Sequence, residues 1–248
     1  MLTIIGYGAM ARAIIEGLSE AKIAMEVVGR DEKKLEEIRY LYPVKTRVLK
    51  DMDITGKNIL LAVKPYALED VAKKLHGKAD VLLSILAGTS ISALRRIEAR
   101  SYIRAMPNIA AAKRASTTSL TGDEEAKEYA LKIFGQIGRT VWLGSEKELD
   151  IATAIAGSGP AFLAMVAEAL SDGGVACGLK REDATRLVEG LFFSYSSIAE
   201  EHPAIIKDRV MSPAGTTAAG YKALEDRGVR GAFMEAVSKA FEKANGSQ

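Results

Sequence analysis

The sequence predicts an α/β protein in two parts: a parallel sheet covered by helices, then an all-α region. Three observations carry this. Short apolar runs alternate with helical patterns over the first ~145 residues, the spacing that strand–helix–strand units require. A glycine-rich turn joins the first strand to the first helix. From residue 147 onward only helical patterns remain, so the boundary is placed near 145, giving domains 1–145 and 146–248.

The elements follow in order. LTII (2–5) is a buried strand and Ala9–Ser19 a helix. EVV (26–28) is the next strand, and Glu32–Leu41 the next helix, with apolar residues at 35, 38 and 41. NILLAV (58–63), DVLLSIL (80–86) and SYIRAM (101–106) repeat the strand signal, with helical stretches near 66–75 and 90–98. STTSLT (116–121) and RTVWL (139–143) are later strands, with a helix at Asp123–Ile137 between them. The second half predicts helices at 147–156, 160–177, 181–201, 213–227 and 230–244.

Composition narrows the function classes. Apolar residues make up 48% and charged residues 27% of 248, enough for a buried core and a soluble surface. Net charge is +2 and no Lys/Arg run exceeds two residues, which argues against a nucleic-acid footprint. No uninterrupted apolar stretch reaches the ~18 residues that span a bilayer, so no membrane partner is expected. The opening MLTIIGYG has no basic segment before its apolar run, unlike a signal peptide. One cysteine, Cys177, cannot form an internal disulfide, and a reducing cytoplasm is the simple setting. With only His76 and His202 beside it, no His/Cys metal site is expected. Cys177 is read as a core residue, His202 as a loop or capping residue, and Trp142 as sheet packing.

The turn Gly6-Tyr7-Gly8-Ala9-Met10-Ala11 is G-x-G-x-x-A, placed after a strand and opening a helix. Gly6 permits the tight turn, Gly8 lets backbone approach a pyrophosphate, and Ala11 lets the helix lie on the strand. The helix tip then offers free N–H groups to phosphate. This is the Rossmann dinucleotide fingerprint. Strand 26–28 runs into Gly29-Arg30 rather than a carboxylate. An Arg there suits a 2′-phosphate, so NADP(H) is preferred, with NAD(H) as the alternative because Asp31 and Glu32 follow closely. Ligands in such sheets lie beyond the carboxyl ends of strands. That places Ala62-Val63-Lys64-Pro65, Ala87-Gly88 and Arg104-Ala105-Met106-Pro107-Asn108 near the cofactor's reactive half.

Two further turns stand out in the helical part. Gly157-Ser158-Gly159-Pro160-Ala161 makes an accessible backbone before an apolar helix and offers the Ser158 hydroxyl. In Met211-Ser212-Pro213-Ala214-Gly215-Thr216-Thr217, Ser212 reads as an N-cap and Pro213 as the first helical residue. Ala214 to Thr217 would then form a first turn whose N–H groups lack intrahelical partners. Small side chains leave those donors open to a carboxylate, and two threonines add hydroxyls.

These residues resemble pyrroline-5-carboxylate reductase over nearly the whole chain. The resemblance rests on G-x-G-x-M at 6–10, AVKP at 62–65, RAMPN at 104–108, GSGPA at 157–161 and EHPAIIKDRVMSPAGTTAAGYKALEDRGVRGAF at 201–233. The last block is the most specific. Its visible departure is Ala214, where the family usually has Gly; at a helix first turn Ala is conformationally easy, but its methyl narrows the approach to the backbone. The resemblance implies reduction of 1-pyrroline-5-carboxylate, a cyclic imine carboxylate, to L-proline by hydride from NAD(P)H. It implies a Rossmann domain followed by an all-α dimerisation domain, an active site at a dimer interface, and in many members a decamer. It assigns Gly6, Tyr7, Gly8, Ala9, Met10 and Arg30 to the cofactor's phosphates and ribose. Ala62, Val63, Lys64, Pro65, Ala87, Met106, Pro107 and Asn108 would lie along its nicotinamide half. Ser158, Ala214, Gly215, Thr216 and Thr217 would hold substrate, with Thr217 as the catalytic group nearest the ring nitrogen.

Two rivals differ in class. A β-hydroxyacid dehydrogenase needs a Lys on the helix after its Gly-Ser-Gly turn as acid/base, and residues 160–170, PAFLAMVAEAL, contain none. A non-catalytic NADP-binding regulator would have no use for the turn at 212–217.

Overall fold

The computed structural model describes residues 1–244. They divide into two compact units, Met1–Ser158 together with the chain from Ala240, and Gly159–Lys239.

The first unit is built on β1 (Leu2–Ile5), α1 (Ala9–Glu20), β2 (Met25–Gly29), α2 (Glu32–Leu41), β3 (Lys45–Val48), β4 (Met52–Asp53) and β5 (Asn58–Leu61). It continues with α3 (Leu68–Ala72), β6 (Leu75–His76), β7 (Ala79–Ser84), α4 (Ile91–Leu94), β8 (Ala99–Met106), β9 (Ser116–Gly122), α5 (Lys127–Phe134), β10 (Gly138–Trp142) and α6 (Glu146–Ala152). Eight strands form one sheet in the order β10-β9-β8-β7-β5-β1-β2-β3. Successive residues of a strand point to opposite faces, and here both faces are covered. Ile4, Val27, Leu60 and Leu83 pack into one apolar cluster with Ile14, Leu18 and Ile38 of the helices. Ile5, Val28, Leu61 and Leu82 pack into the other with Leu68, Val71 and Leu94. Burial on both sides is why these strands read as continuous apolar runs.

The sheet departs from the all-parallel expectation at one pair: β9 runs antiparallel to β8. A parallel return needs a crossover of a dozen or more residues. The link 107–115 holds only a 3-10 turn at Ile109–Lys113, closed by Arg114 at φ 54°, so the chain can only reverse. Strand β3 escaped the sequence reading because it is a charged edge, KTRV, whose Arg47 pairs with the buried Glu26 at 3.2 Å. The helix expected at 66–75 is a 3-10 turn at Pro65–Ala67 plus the short α3, because Leu75–His76 leaves to pair with Met52–Asp53. The stretches 90–98 and 123–137 likewise hold shorter α-helices than expected.

Arg104 on β8 is buried, with Nη1 2.9 Å from Glu146 Oε1 and Nη2 2.8 Å from Asp150 Oδ1. The same Glu146 oxygen accepts from the Ile91 N–H at 2.9 Å. This fork holds α6 against the sheet, which is why the chain up to Ser158 belongs to the first unit.

The second unit contains α7 (Gly159–Ala176), α8 (Arg181–Ile198), α9 (Pro203–Val210), α10 (Thr216–Asp226) and most of α11 (Val229–Ala244). Helices α7 and α8 are joined by a tight turn at Gly178, φ 108°, and an added Cβ on Gly174 would press Ala184. Helix α9, missed in the sequence, starts with His202 as its cap: Nδ1 accepts from the Ala204 N–H at 3.3 Å, and Pro203 follows at the first turn. Cys177, expected in the core, is exposed.

Helix α6 does not stop at 156. It passes through a π-helical turn at Thr153–Gly157 into α7, so Glu146–Ala176 is one helical run of 31 residues. By length and composition this run could cross a membrane. The sequence reading divided it at the glycines and proline of 157–160 and expected no such segment.

Candidate functional site

The expected nucleotide residues all lie in the first unit, at the carboxyl ends of adjacent strands. The chain winds β1, β2, β3 outward on one side, then returns to place β5 on the other side of β1. That reversal opens a crevice between β1 and β5, the usual ligand position in such sheets. Gly6 and Ala62 stand at its mouth. Gly6 has φ 123°, donates its N–H to Val28 O at 2.9 Å, and lies so close to the Ala62 carbonyl that any Cβ would collide with it. Gly8 differs. It caps α1 at φ −68°, and an added Cβ would meet nothing within 4 Å. The protein's own packing therefore does not require glycine at 8; open space in front of the helix tip remains. The first intrahelical bond runs from Arg12 N–H to Gly8 O at 2.9 Å, so the amides of Ala9, Met10 and Ala11 precede it. No acidic side chain stands in that first turn, leaving its positive end uncompensated.

Tyr7 lays its ring on Gly29, where a side chain would overlap it, and Lys34 Nζ sits 5.9 Å from the ring centre. Arg30 is exposed at the end of β2. The nearest carboxylate, Asp31, is occupied: its Oδ1 accepts from Lys34 N–H at 3.2 Å and caps α2. Ala62 is buried, Val63 half-buried, and Lys64 and Pro65 exposed, with Pro65 opening the 3-10 turn after β5. Ala87 is exposed after β7, followed by Gly88 at φ 63°. Met106 is buried at the last position of β8, and Pro107 and Asn108 are half-buried beyond it.

Ser158 closes the π-helical turn, its N–H donating to Thr153 O at 3.1 Å. The remaining expected substrate residues belong to the second unit. There the sequence reading needs correction: Ser212 is not the cap and Pro213 is not the first helical residue. Residues 212–215 form a β-turn, closed by Gly215 N–H to Ser212 O at 3.0 Å. Pro213 takes its second position and Ala214 the third, at φ 56°, as in turns that demand positive φ there. Ala214 is therefore not conformationally easy. Gly215 caps α10 at φ −76°, and an added Cβ would strike Ser212 Oγ. The first α-helical bond is Ala219 N–H to Gly215 O at 3.2 Å, which leaves the amides of Thr216, Thr217 and Ala218 ahead of it. Thr216 and Thr217 are exposed, and no acidic residue or side-chain cap occupies the turn.

Within Gly159–Lys239 only Ser171, Ala184 and Ile206 are buried. Leu163, Leu187, Leu191, Phe193 and Met234 are each more than half exposed. Apolar helices with almost nothing buried cannot offset their own ordering entropy and need a further surface to cover them. No cluster of three or more His, Cys, Asp or Glu suited to a metal occurs among the described residues.

Known proteins match this arrangement. Residues 146–247 fit the family model described as pyrroline-5-carboxylate reductase dimerisation, and residues 1–88 one described as NADP oxidoreductase, coenzyme F420-dependent. The chain is 35% identical to a pyrroline-5-carboxylate reductase of Helicobacter pylori over 98% of both chains. It is similar to the solved 1-pyrroline-5-carboxylate reductase of Streptococcus pyogenes, with TM-score 0.85 and 29% identity over 99% of this chain and 98% of that one. The Plasmodium falciparum pyrroline carboxylate reductase solved with NADP bound gives TM-score 0.82 and 27% identity, covering 99% and 98%.

Proposed function

Since the chain belongs to the pyrroline-5-carboxylate reductase family, we propose that it reduces 1-pyrroline-5-carboxylate to L-proline with hydride from NADPH. The observation that carries this is the tip of α10: three amides ahead of the first helical bond, two threonine hydroxyls, and no competing carboxylate. Such a tip binds an anion through geometry rather than formal charge, which suits a small carboxylate.

NADPH fits the first unit, because α1 presents uncompensated amides across the open space at Gly8. When bound, the cofactor supplies the hydride. Gly6, Tyr7, Gly8, Ala9 and Met10 would hold its phosphates, and Arg30 its 2′-phosphate, since Asp31 is spent on capping α2. Ala62, Val63, Lys64, Pro65, Ala87 and the 106–108 segment would border the nicotinamide. NADH remains the weaker alternative.

The chain's own work is to bind and orient. Ser158 and the Ala214–Thr217 turn would hold the substrate, and the Thr217 hydroxyl would hydrogen-bond the ring nitrogen. A protonated imine already accepts hydride at carbon: the C=N π pair moves to nitrogen, and the proton stays there. No metal or strong acid is required, and positioning carries the rate. Functionally the division is 1–145 for nucleotide and 146–248 for dimerisation and substrate. The assembly is a homodimer through the helical domain, with a decamer as the higher form. Covering the apolar helices with a second copy also accounts for the long apolar run without a membrane, in a cytoplasmic setting with no nucleic-acid partner.

The test is to mix protein, NADPH and 1-pyrroline-5-carboxylate and follow the reduced nicotinamide by absorbance. Oxidation with the imine and none with keto acids is expected. The reverse pattern would favour the dehydrogenase reading, which α7, lacking any Lys, does not support. NADPH binding with no turnover on any of these substrates would favour a regulator.

A further inference from the structure

A proline inside a helix removes the amide that would bond the carbonyl four residues back, and its ring pushes that carbonyl aside. Pro160 stands four residues after Ala156. The Ala156 carbonyl therefore has no α-helical donor. The backbone widens there into the π-helical turn Thr153–Gly157, with Ser158 N–H reaching back five residues to Thr153 O. Asn108 supplies the donor that Pro160 cannot: its Nδ2 donates to Ala156 O at 3.0 Å. The other end of the same side chain caps the 3-10 turn Ile109–Lys113. Its Oδ1 accepts from Ala110 N–H at 3.0 Å, and the Asn108 backbone N–H donates to Ser116 Oγ at 3.0 Å.

We propose that Asn108 is a positioning residue matched to Pro160. By bonding the carbonyl that Pro160 orphans, it locks the turn carrying Ser158 to the tip of β8 and so sets the Ser158 hydroxyl for the imine. The family resemblance places Asn108 along the nicotinamide half, and its side-chain amide is engaged by backbone at both ends. The inference rests on the proposed reductase activity. Single π-helical turns inside α-helices occur frequently at functional sites.

Two substitutions separate the parts. Asn108→Asp keeps the acceptor for Ala110 and removes the donor to Ala156. Pro160→Ala gives residue 160 an N–H that can bond Ala156 itself. Asn108→Asp should lower kcat/KM for the imine about tenfold, the scale of one acceptor left unsatisfied, while the NADPH Kd by titration calorimetry stays within about twofold. Adding Pro160→Ala should restore most of that loss, a coupling that independent sites do not show. Three results would overturn the proposal: kcat/KM unchanged in Asn108→Asp; losses that multiply without rescue; or NADPH affinity falling in step with imine turnover, which would mark a cofactor contact. The same cycle in thermal unfolding is independent of activity. Inactive wild type with rescue in unfolding would leave the Asn108–Pro160 match standing and refute the reductase reading instead. No rescue in either measurement would refute the match.

Discussion

Replacing Ala214 with glycine should stabilise this protein, against the general trend for glycine substitutions. Ala214 sits at φ 56° in the turn before α10. In that region Cβ crowds the following carbonyl oxygen, at a cost of about 1–2 kcal/mol for a residue other than glycine. Glycine removes that strain. It also gives the unfolded chain more freedom, which opposes stability by about 0.4–1 kcal/mol. Ala214 is exposed, so removing its methyl opens no cavity. The balance is a gain of roughly 0.5–1 kcal/mol, or about 1–4 °C in Tm for a chain of this size. The assay is thermal unfolding at one fixed protomer concentration, since association shifts the midpoint. Ala214→Val is the control of opposite sign, because a β-branched residue fits positive φ worse than alanine. The imine KM should not rise in Ala214→Gly, as the α10 amides become more approachable. A lower Tm for the glycine variant, or a higher one for the valine variant, would refute the left-handed geometry and the account of the turn built on it.

Other perturbations test the roles of single residues. Thr217→Val, which keeps the shape and removes the hydroxyl, should cut kcat about tenfold, the scale of a lost hydrogen bond to a charged group, with the KM for NADPH nearly unchanged; unaltered turnover removes Thr217 from the chemistry. Arg30→Ala should raise the KM for NADPH about tenfold, the scale of a lost charge-assisted hydrogen bond, and leave that for NADH nearly constant; equal effects on both would deny it the 2′-phosphate. Burial pushes the Tyr129 hydroxyl up to about 12, against a smaller opposing hydrogen bond from Asn58. A raised folded pKa means its stabilisation is intact below pH 10 and fades as pH climbs through about 12. Tyr129→Phe should therefore flatten the loss of stability between those values in urea unfolding curves, and an unchanged slope would show the hydroxyl ionises as freely folded as unfolded.

Much of the nucleotide side was legible because its signals are local. Gly6 must be glycine for a reason on the neighbouring strand, the Ala62 carbonyl, yet the motif that carries it lies within six residues. The central strands announced themselves by apolar runs. The edge strand at 45–48 did not, since a charged edge has no apolar run to show. Nor did the antiparallel turn into β9, whose direction follows from the length of a link that resembled any other loop. His202 before Pro203 was legible only as a loop or capping residue, because the helix it caps, α9, shows no apolar period of its own to mark it. Cys177 was misread because an apolar neighbourhood in sequence does not reveal which helix faces lack a cover within one protomer.

The turn before α10 marks the division most sharply. Ser-Pro-Ala-Gly-Thr-Thr was enough to say that small residues expose a helix tip, because composition alone decides how much backbone is left open. Where that helix starts, and that Ala214 must enter the left-handed region to start it there, depends on how Ser212 and Gly215 close on each other. The same holds at Pro160. The sequence determined that residue 160 would bring no N–H, since that lack is a covalent property of proline. Only the tertiary structure could say which group replaces the donor, because Asn108 lies 48 residues away and a hydrogen bond of that span exists only once the sheet and the helix have packed.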